Sequence, residues 1–149
     1  MLQGLFLLPF SPPDSWQDVH PILVNFTAAL IPASIASDLL GKVLRRQSFS
    51  HAAWWMLFYA ALITPLTALT GWLWKTSLDV ASAPPDDIIF LHQWIGSSLA
   101  VAFIVLAIWR GRFHRRDEAP NIAYFLLAGV VLILLIYQGS LGGLMVFGN

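Results

Sequence analysis

Residues 121–141 read NIAYFLLAGVVLILLIYQGSL, a stretch with no charged side chain from Asn121 to Leu141. A helix that crosses the hydrocarbon of a bilayer needs roughly 20 mostly apolar residues, and this stretch supplies them. Three comparable stretches precede it: His20 to Leu40, Ala52 to Trp74 and Ile88 to Trp109. They are separated by Gly41-Lys42-Val43-Leu44-Arg45-Arg46, by 75–87 with its Pro84-Pro85 pair, and by 110–120. Glycine and proline at these edges fit helix stops and starts, and Pro21 fits the first turn of a helix. The expected fold is all-α: an integral membrane four-helix up-and-down bundle, with residues 1–149 forming a single domain.

Composition supports this reading. The chain is 58% hydrophobic and only 11% charged, with mean hydropathy +0.72. Soluble domains carry about 25% charged residues, so this chain could not cover its own surface in water. The formal net charge is zero and no basic run interleaves with aromatics, so nothing points to nucleic acid. Cysteine is absent, which excludes disulfides, iron–sulfur clusters and thiolate metal sites. Residues 1–10 are apolar but lack a basic leader and a small-residue cleavage site. They read as a segment lying on the membrane surface, ended by Ser11-Pro12-Pro13-Asp14.

Charge sets the expected orientation. Lys42, Arg45 and Arg46 lie between the first two spans, and Arg110, Arg112, Arg115 and Arg116 between the last two. These are seven of the 8 basic residues. The opposite end carries Asp14, Asp18, Asp79, Asp86 and Asp87 with only Lys75. The positive-inside rule then puts the basic loops in the cytoplasm of a bacterial cell and both termini on the outer side of its cytoplasmic membrane. Trp16, Trp72, Trp74 and Trp94 flank one interface, and Trp54, Trp55 and Trp109 the other. No clear internal repeat is visible beyond a loose likeness between the histidine-led starts of spans one and three.

Each span carries a polar or small-residue stripe at helical spacing: His20, Thr27, Ser34 and Asp38; Thr64, Thr67, Gly71 and Trp74; His92, Gly96, Leu99 and Phe103; Tyr124, Gln138 and Gly142. Polar groups at membrane depth turn inward or toward one another. Thr64, Thr67 and Ser34 read first as small packing residues or as residues that hydrogen-bond a preceding carbonyl. Asp38 lies one turn before Lys42 and is expected to pair with it; a proton-relay role is the alternative. Pro32 and Pro65 are expected to kink their helices.

His20 and His92 are the most informative pair. Up-and-down threading puts both at one membrane face, on helices diagonally opposite in the bundle. Diagonal helices of a square bundle lie roughly 12–14 Å apart, given neighbour spacings of 8–10 Å. That gap suits an iron atom with an imidazole on each side, and bundle cores host such cofactors. Gly71, Gly96, Gly139, Gly142 and Gly143 fall at the same level. They serve either close helix contact or the space a flat ring needs. The candidate cofactor-binding set is therefore His20, Gly71, His92, Gly96, Gln138 and Gly142, with His20 and His92 as metal ligands. His51 and His114 sit at the basic end and read as ordinary interfacial residues. No phosphate loop, nucleophile elbow or metal-binding carboxylate pair occurs, and Asp86-Asp87 suits the N-terminus of the third helix.

The stretch His20-Pro21-Ile22-Leu23-Val24-Asn25-Phe26-Thr27-Ala28-Ala29-Leu30 resembles the opening of a bacterial family of predicted four-helix membrane proteins of unknown function. Members of that family begin close to His-Pro-x-x-Val-His-Phe-Pro-Ile-Ala-Leu. Leu69-Thr70-Gly71, His92-Gln93-Trp94-Ile95-Gly96, Trp109-Arg110 and the tail from Gly139 to Gly148 match in the same order. The resemblance implies the four-helix architecture and marks His20, Gly71, His92, Gly96, Gly142 and Gly143 as motif positions. Asn25, Thr27 and Trp74 depart from it, standing where the family often has histidine, proline and an acidic residue.

The functional expectation is a small b-type cytochrome that binds haem b between His20 and His92 near the outer face. It would pass electrons as a subunit of a larger respiratory or photosynthetic complex, in contact with other membrane subunits. Loops this short leave no room for a substrate domain, which argues against an independent enzyme. The competing expectation is a cofactor-free accessory subunit. A transporter is weaker, since paired discontinuous helices and buried midplane charge are not visible in the sequence.

Overall fold

A computed structural model describes residues 16–76 and 85–147. The surface segment expected at 1–10, Asp79 and Asp14 lie outside the described residues. Among the described residues four helices form: α1 (Trp16–Leu44), α2 (Gln47–Thr76), α3 (Asp86–His114) and α4 (Ile122–Phe147). All four are long and apolar enough to cross a membrane. They run 26 to 30 residues, or about 39–45 Å at 1.5 Å per residue. Each therefore outlasts the span read from hydropathy on at least one side. Hydropathy marks only the part inside hydrocarbon. The backbone keeps its hydrogen bonds by staying helical through the headgroup layer, and the full bilayer is about 40–45 Å thick.

Three edge expectations change accordingly. Pro21 lies inside α1 rather than in its first turn, because the helix begins at Trp16. Gly41 also lies inside α1 and stops nothing. A Cβ there would sit 3.1 Å from the Ser50 backbone nitrogen and 3.3 Å from the Arg46 carbonyl oxygen, so glycine serves the close approach of the α2 start. Arg110, read as a loop residue, belongs to α3.

The helix stops at the basic end are made by non-glycine residues in the left-handed region. Arg45 has φ 52° and Asp117 has φ 52°. After each, a backbone N–H reaches back five residues: Arg46 to the Gly41 carbonyl at 3.0 Å and Glu118 to the Phe113 carbonyl at 3.0 Å. This closure satisfies helix carbonyls that would otherwise be left without donors.

Helix α1 packs along α2, α2 along α3 and α3 along α4, and α1 meets α4 over the shortest seam. The diagonal pairs, α1 with α3 and α2 with α4, make no close backbone contact. Ile31, Leu57, Ala60, Leu99, Phe103 and Val131 anchor the buried centre. Large apolar side chains such as Phe26, Leu66, Val101 and Leu126 remain exposed around it, as lipid-facing positions would be.

The α1–α2 and α3–α4 hairpins repeat one another, a relation the sequence hides. At an offset of 72 residues, Ile31 corresponds to Phe103, Ser34 to Leu106 and Asp38 to Arg110, and all six are buried. The same offset relates His20 to His92 and the two helix stops, Arg45 and Asp117. On α2 and α4 the offset is 71: Ala53 with Tyr124, Leu57 with Ala128, Ala60 with Val131 and Thr70 with Leu141 are again all buried. Gly71 and Gly142 share that register. Burial is kept while chemistry is not, since Asp, Ser and Thr stand opposite Arg, Leu and Leu.

Candidate functional site at the histidine end

His20 enters the bundle through the α1–α2 seam. Its Nδ1 lies 2.9 Å from the Thr67 carbonyl oxygen and 3.2 Å from Thr70 Oγ1. A carbonyl oxygen only accepts, so Nδ1 carries the hydrogen and Nε2 keeps a lone pair. Among the described residues Nε2 has no hydrogen-bond partner. The ring lies against Gly71, where a Cβ would come within 2.9 Å of His20 Cε1. Trp74 closes one side, its ring centroid 5.7 Å from that of the imidazole.

His92 repeats the arrangement in the α3–α4 seam. A Cβ on Gly142 would lie 3.3 Å from His92 Cε1. Gln138, which corresponds in register to Thr67, donates from Nε2 to the His92 carbonyl oxygen at 2.9 Å. The same Nε2 lies 2.9 Å from where a Gly96 Cβ would be. His92 Nδ1 and Gln138 Oε1 are buried with no hydrogen-bond partner among the described residues.

The six sequence-expected residues thus meet at one end, in two sets: His20 with Gly71, and His92 with Gly96, Gln138 and Gly142. The space each glycine leaves is taken by an imidazole or by Gln138, whereas a Cβ on Gly139 or Gly143 would meet nothing within 4 Å. The glycines therefore seat the histidines and Gln138. Thr67, Thr70 and Trp74 complete the surroundings of His20. Their signal in the sequence was the three-residue spacing Thr64, Thr67, Thr70 running into Gly71. Gln93 accepts from Lys75 Nζ at 3.1 Å, and its own buried Nε2 has no partner among the described residues.

The remaining polar stripe on α1 is a seam with α2. Thr27 and Thr64 hydroxyls lie 3.3 Å apart, and Ser34 Oγ donates to the Ala53 carbonyl at 2.8 Å. Thr64 and Thr67 also donate to the carbonyls of Ala60 and Ile63, the back-bonding expected of them. Asp38 does not pair with Lys42. It accepts from Arg110 Nε at 2.9 Å and Nη2 at 2.8 Å, and both side chains are wholly buried. Lys42 instead lies over the Phe125 ring, 5.1 Å from its centroid. Asp38 faces inward, where an arginine from the opposite helix outcompetes a solvated lysine on its own.

At the histidine end His20 and His92 are the side chains that could ligate a metal. Among the described residues no three His, Cys, Asp or Glu side chains converge as metal ligands.

No protein of curated function and no solved structure matches the chain. A family model does match, over residues 17–149, and the chain belongs to that family of predicted membrane proteins, DUF2231.

Proposed function

We propose that this protein is a small membrane electron-transfer subunit of cytochrome b type, with His20 and His92 as the axial ligands of haem b. The observation that carries this reading is the repeated placement of the two imidazoles. They sit at corresponding positions of two hairpins, on diagonal helices, each laid against a glycine of the next helix. Haem, when bound, would carry the electron. The chain's own residues would fix the ligands: the Thr67 carbonyl orients His20 and sets its tautomer, as partners of metal-bound histidines do. Gln138 ties α4 to the start of α3 beside His92.

The basic loops support an orientation with this end and both termini on the outer side of a bacterial cytoplasmic membrane. In that setting the protein would serve a larger respiratory or photosynthetic assembly, through side chains such as Phe90 and Trp94 exposed near the histidine end. One observation favours the second reading, a cofactor-free accessory subunit: the glycine notches are already filled by imidazole and Gln138. An absorption spectrum of the protein purified in mild detergent, oxidised and then reduced with dithionite, decides between them. A low-spin Soret and α-band pair lost in both His20→Ala and His92→Ala, and kept in His51→Ala and His114→Ala, supports the haem site. A colourless, well-folded protein after expression with added haem precursor sinks it.

A further inference from the structure

The opposite end of the bundle holds a second polar site that the haem reading does not use. A half-open cavity of about 270 Å³ lies where the α1–α2 link meets the end of α3. Lys42, Arg45, Arg46, Ser50, His51 and His114 line it. The N-terminus of α2, at Gln47, also opens there, and first-turn amides of a helix favour anions. Asp117 and Glu118 stand on the wall as well. Asp117 lies 3.4 Å from His51 Nε2, and the third acid, Asp38, is engaged by Arg110. Three lysine or arginine cations thus face two carboxylates outside that buried pair.

Two buried polar nitrogens at this end have no hydrogen-bond partner among the described residues. His114 Nδ1 is buried and unpaired in the cavity wall. Arg110 does not line the cavity; wholly buried beside it, it uses Nε and Nη2 on Asp38 and Ser50 and leaves Nη1 without a partner among the described residues. Buried polar atoms are rarely left so, and a water, an ion or a bound group is the usual partner; His114 Nδ1 is the one in the cavity wall. Position narrows the class. The cavity sits at the end of four membrane-spanning helices, where the phosphates of the lipid headgroups lie, and basic recesses between such helices take anionic headgroups. Ligand clefts for whole small molecules run roughly 300–1,000 Å³, so this one suits a headgroup with its acyl chains left outside.

We propose that this cavity binds the phosphate of an anionic phospholipid, with Arg45 and Arg46 as the principal contacts. The test is native mass spectrometry of the full chain released from nanodiscs of phosphatidylglycerol and phosphatidylcholine. Wild type is expected to retain a phosphatidylglycerol adduct and no phosphatidylcholine adduct. Arg45→Gln/Arg46→Gln is expected to lose most of it. Arg112→Gln/Arg116→Gln removes the same charge from exposed positions outside the cavity and is expected to retain it. Circular dichroism and size-exclusion profiles check that both variants are folded. Equal loss in the two double variants means diffuse attraction and overturns the site. No adduct in wild type overturns it too. Inorganic phosphate at millimolar concentration separates the sources: displacement of the adduct by phosphate alone overturns the lipid assignment, and persistence of the adduct supports it.

Discussion

Arg110 and Asp38 occupy corresponding positions on α3 and α1 and meet across the bundle in a buried, bidentate ion pair, 2.8 Å at its shortest. Ser50 adds its hydroxyl and carbonyl oxygens to the same guanidinium nitrogen, at 2.7 and 2.8 Å. The contact joins the two hairpins at the end opposite the histidines. Helices α1 and α3 have no close backbone approach, and a long arginine reaches across the gap. A bidentate guanidinium–carboxylate pair also fixes direction as well as distance.

Removing one member of this pair should be far worse than removing both. Arg110→Met leaves the Asp38 carboxylate buried without its partner, and such single changes cost about 3–5 kcal/mol. Asp38→Leu/Arg110→Met removes both charges and should recover a large part of the loss. Thermal melts of the purified variants in one detergent check this. A double variant no more stable than the worse single would show that Ser50 and the rest of the network, not the uncompensated charge, dominate.

The glycines should differ in tolerance by what they touch. Gly71→Ala places a methyl 2.9 Å from His20 Cε1, and that ring is held by Thr67 and Thr70. Gly142→Ala meets His92 at 3.3 Å, where a shift of a few tenths of an ångström suffices. Gly139→Ala meets nothing within 4 Å and removes a residue that costs a helix roughly 1 kcal/mol relative to Ala. The expected order of melting temperature is Gly139→Ala at or above wild type, then Gly142→Ala, then Gly71→Ala. An unchanged Gly71→Ala would mean that His20 is not seated as described.

Much of this was legible in the sequence, for reasons that can be named. Four apolar stretches, two of the three breaks between them basic, give the helices because a bilayer tolerates no unpaired backbone. His20, Gly71, His92, Gly96, Gln138 and Gly142 came together because the chain runs up and down and their depths match. The Asp38–Arg110 pair was not legible. Arg110 sits among Arg112, Arg115 and Arg116 and reads as a solvated loop cation; only the extra turn of α3 carries it inside. The hairpin repeat was hidden for a related reason, since packing preserves burial and register while Thr70 and Leu141 share no chemistry. The roles of the glycines needed side-chain positions: spacing alone does not say whether a notch holds an imidazole or a ring.

The basic ends of the hairpins should lie in the cytoplasm. Reporter fusions at Asn149 should behave as periplasmic, and insertions within Arg112–Arg116 as cytoplasmic, because seven of the 8 lysines and arginines flank these two links. The reverse pattern would move the histidine pair to the inner face and change which soluble partners reach it.

Gly96 offers the sharpest separation between a haem site and a purely structural one. It lies one turn after His92 on the same face of α3, and its missing Cβ is what lets Gln138 reach the His92 carbonyl. Gly96→Leu drives the Gln138 amide out of that space and puts a branched side chain beside His92. If His92 is an axial ligand, cofactor content measured by pyridine haemochrome should fall well below wild type, while the helical signal by circular dichroism is kept. Gln138→Leu removes the same hydrogen bond without filling the Gly96 notch, so it should lower content less. In the accessory-subunit reading both variants lose melting temperature and there is no haemochrome signal to lose. Full haem content in a folded Gly96→Leu protein would place the cofactor away from His92.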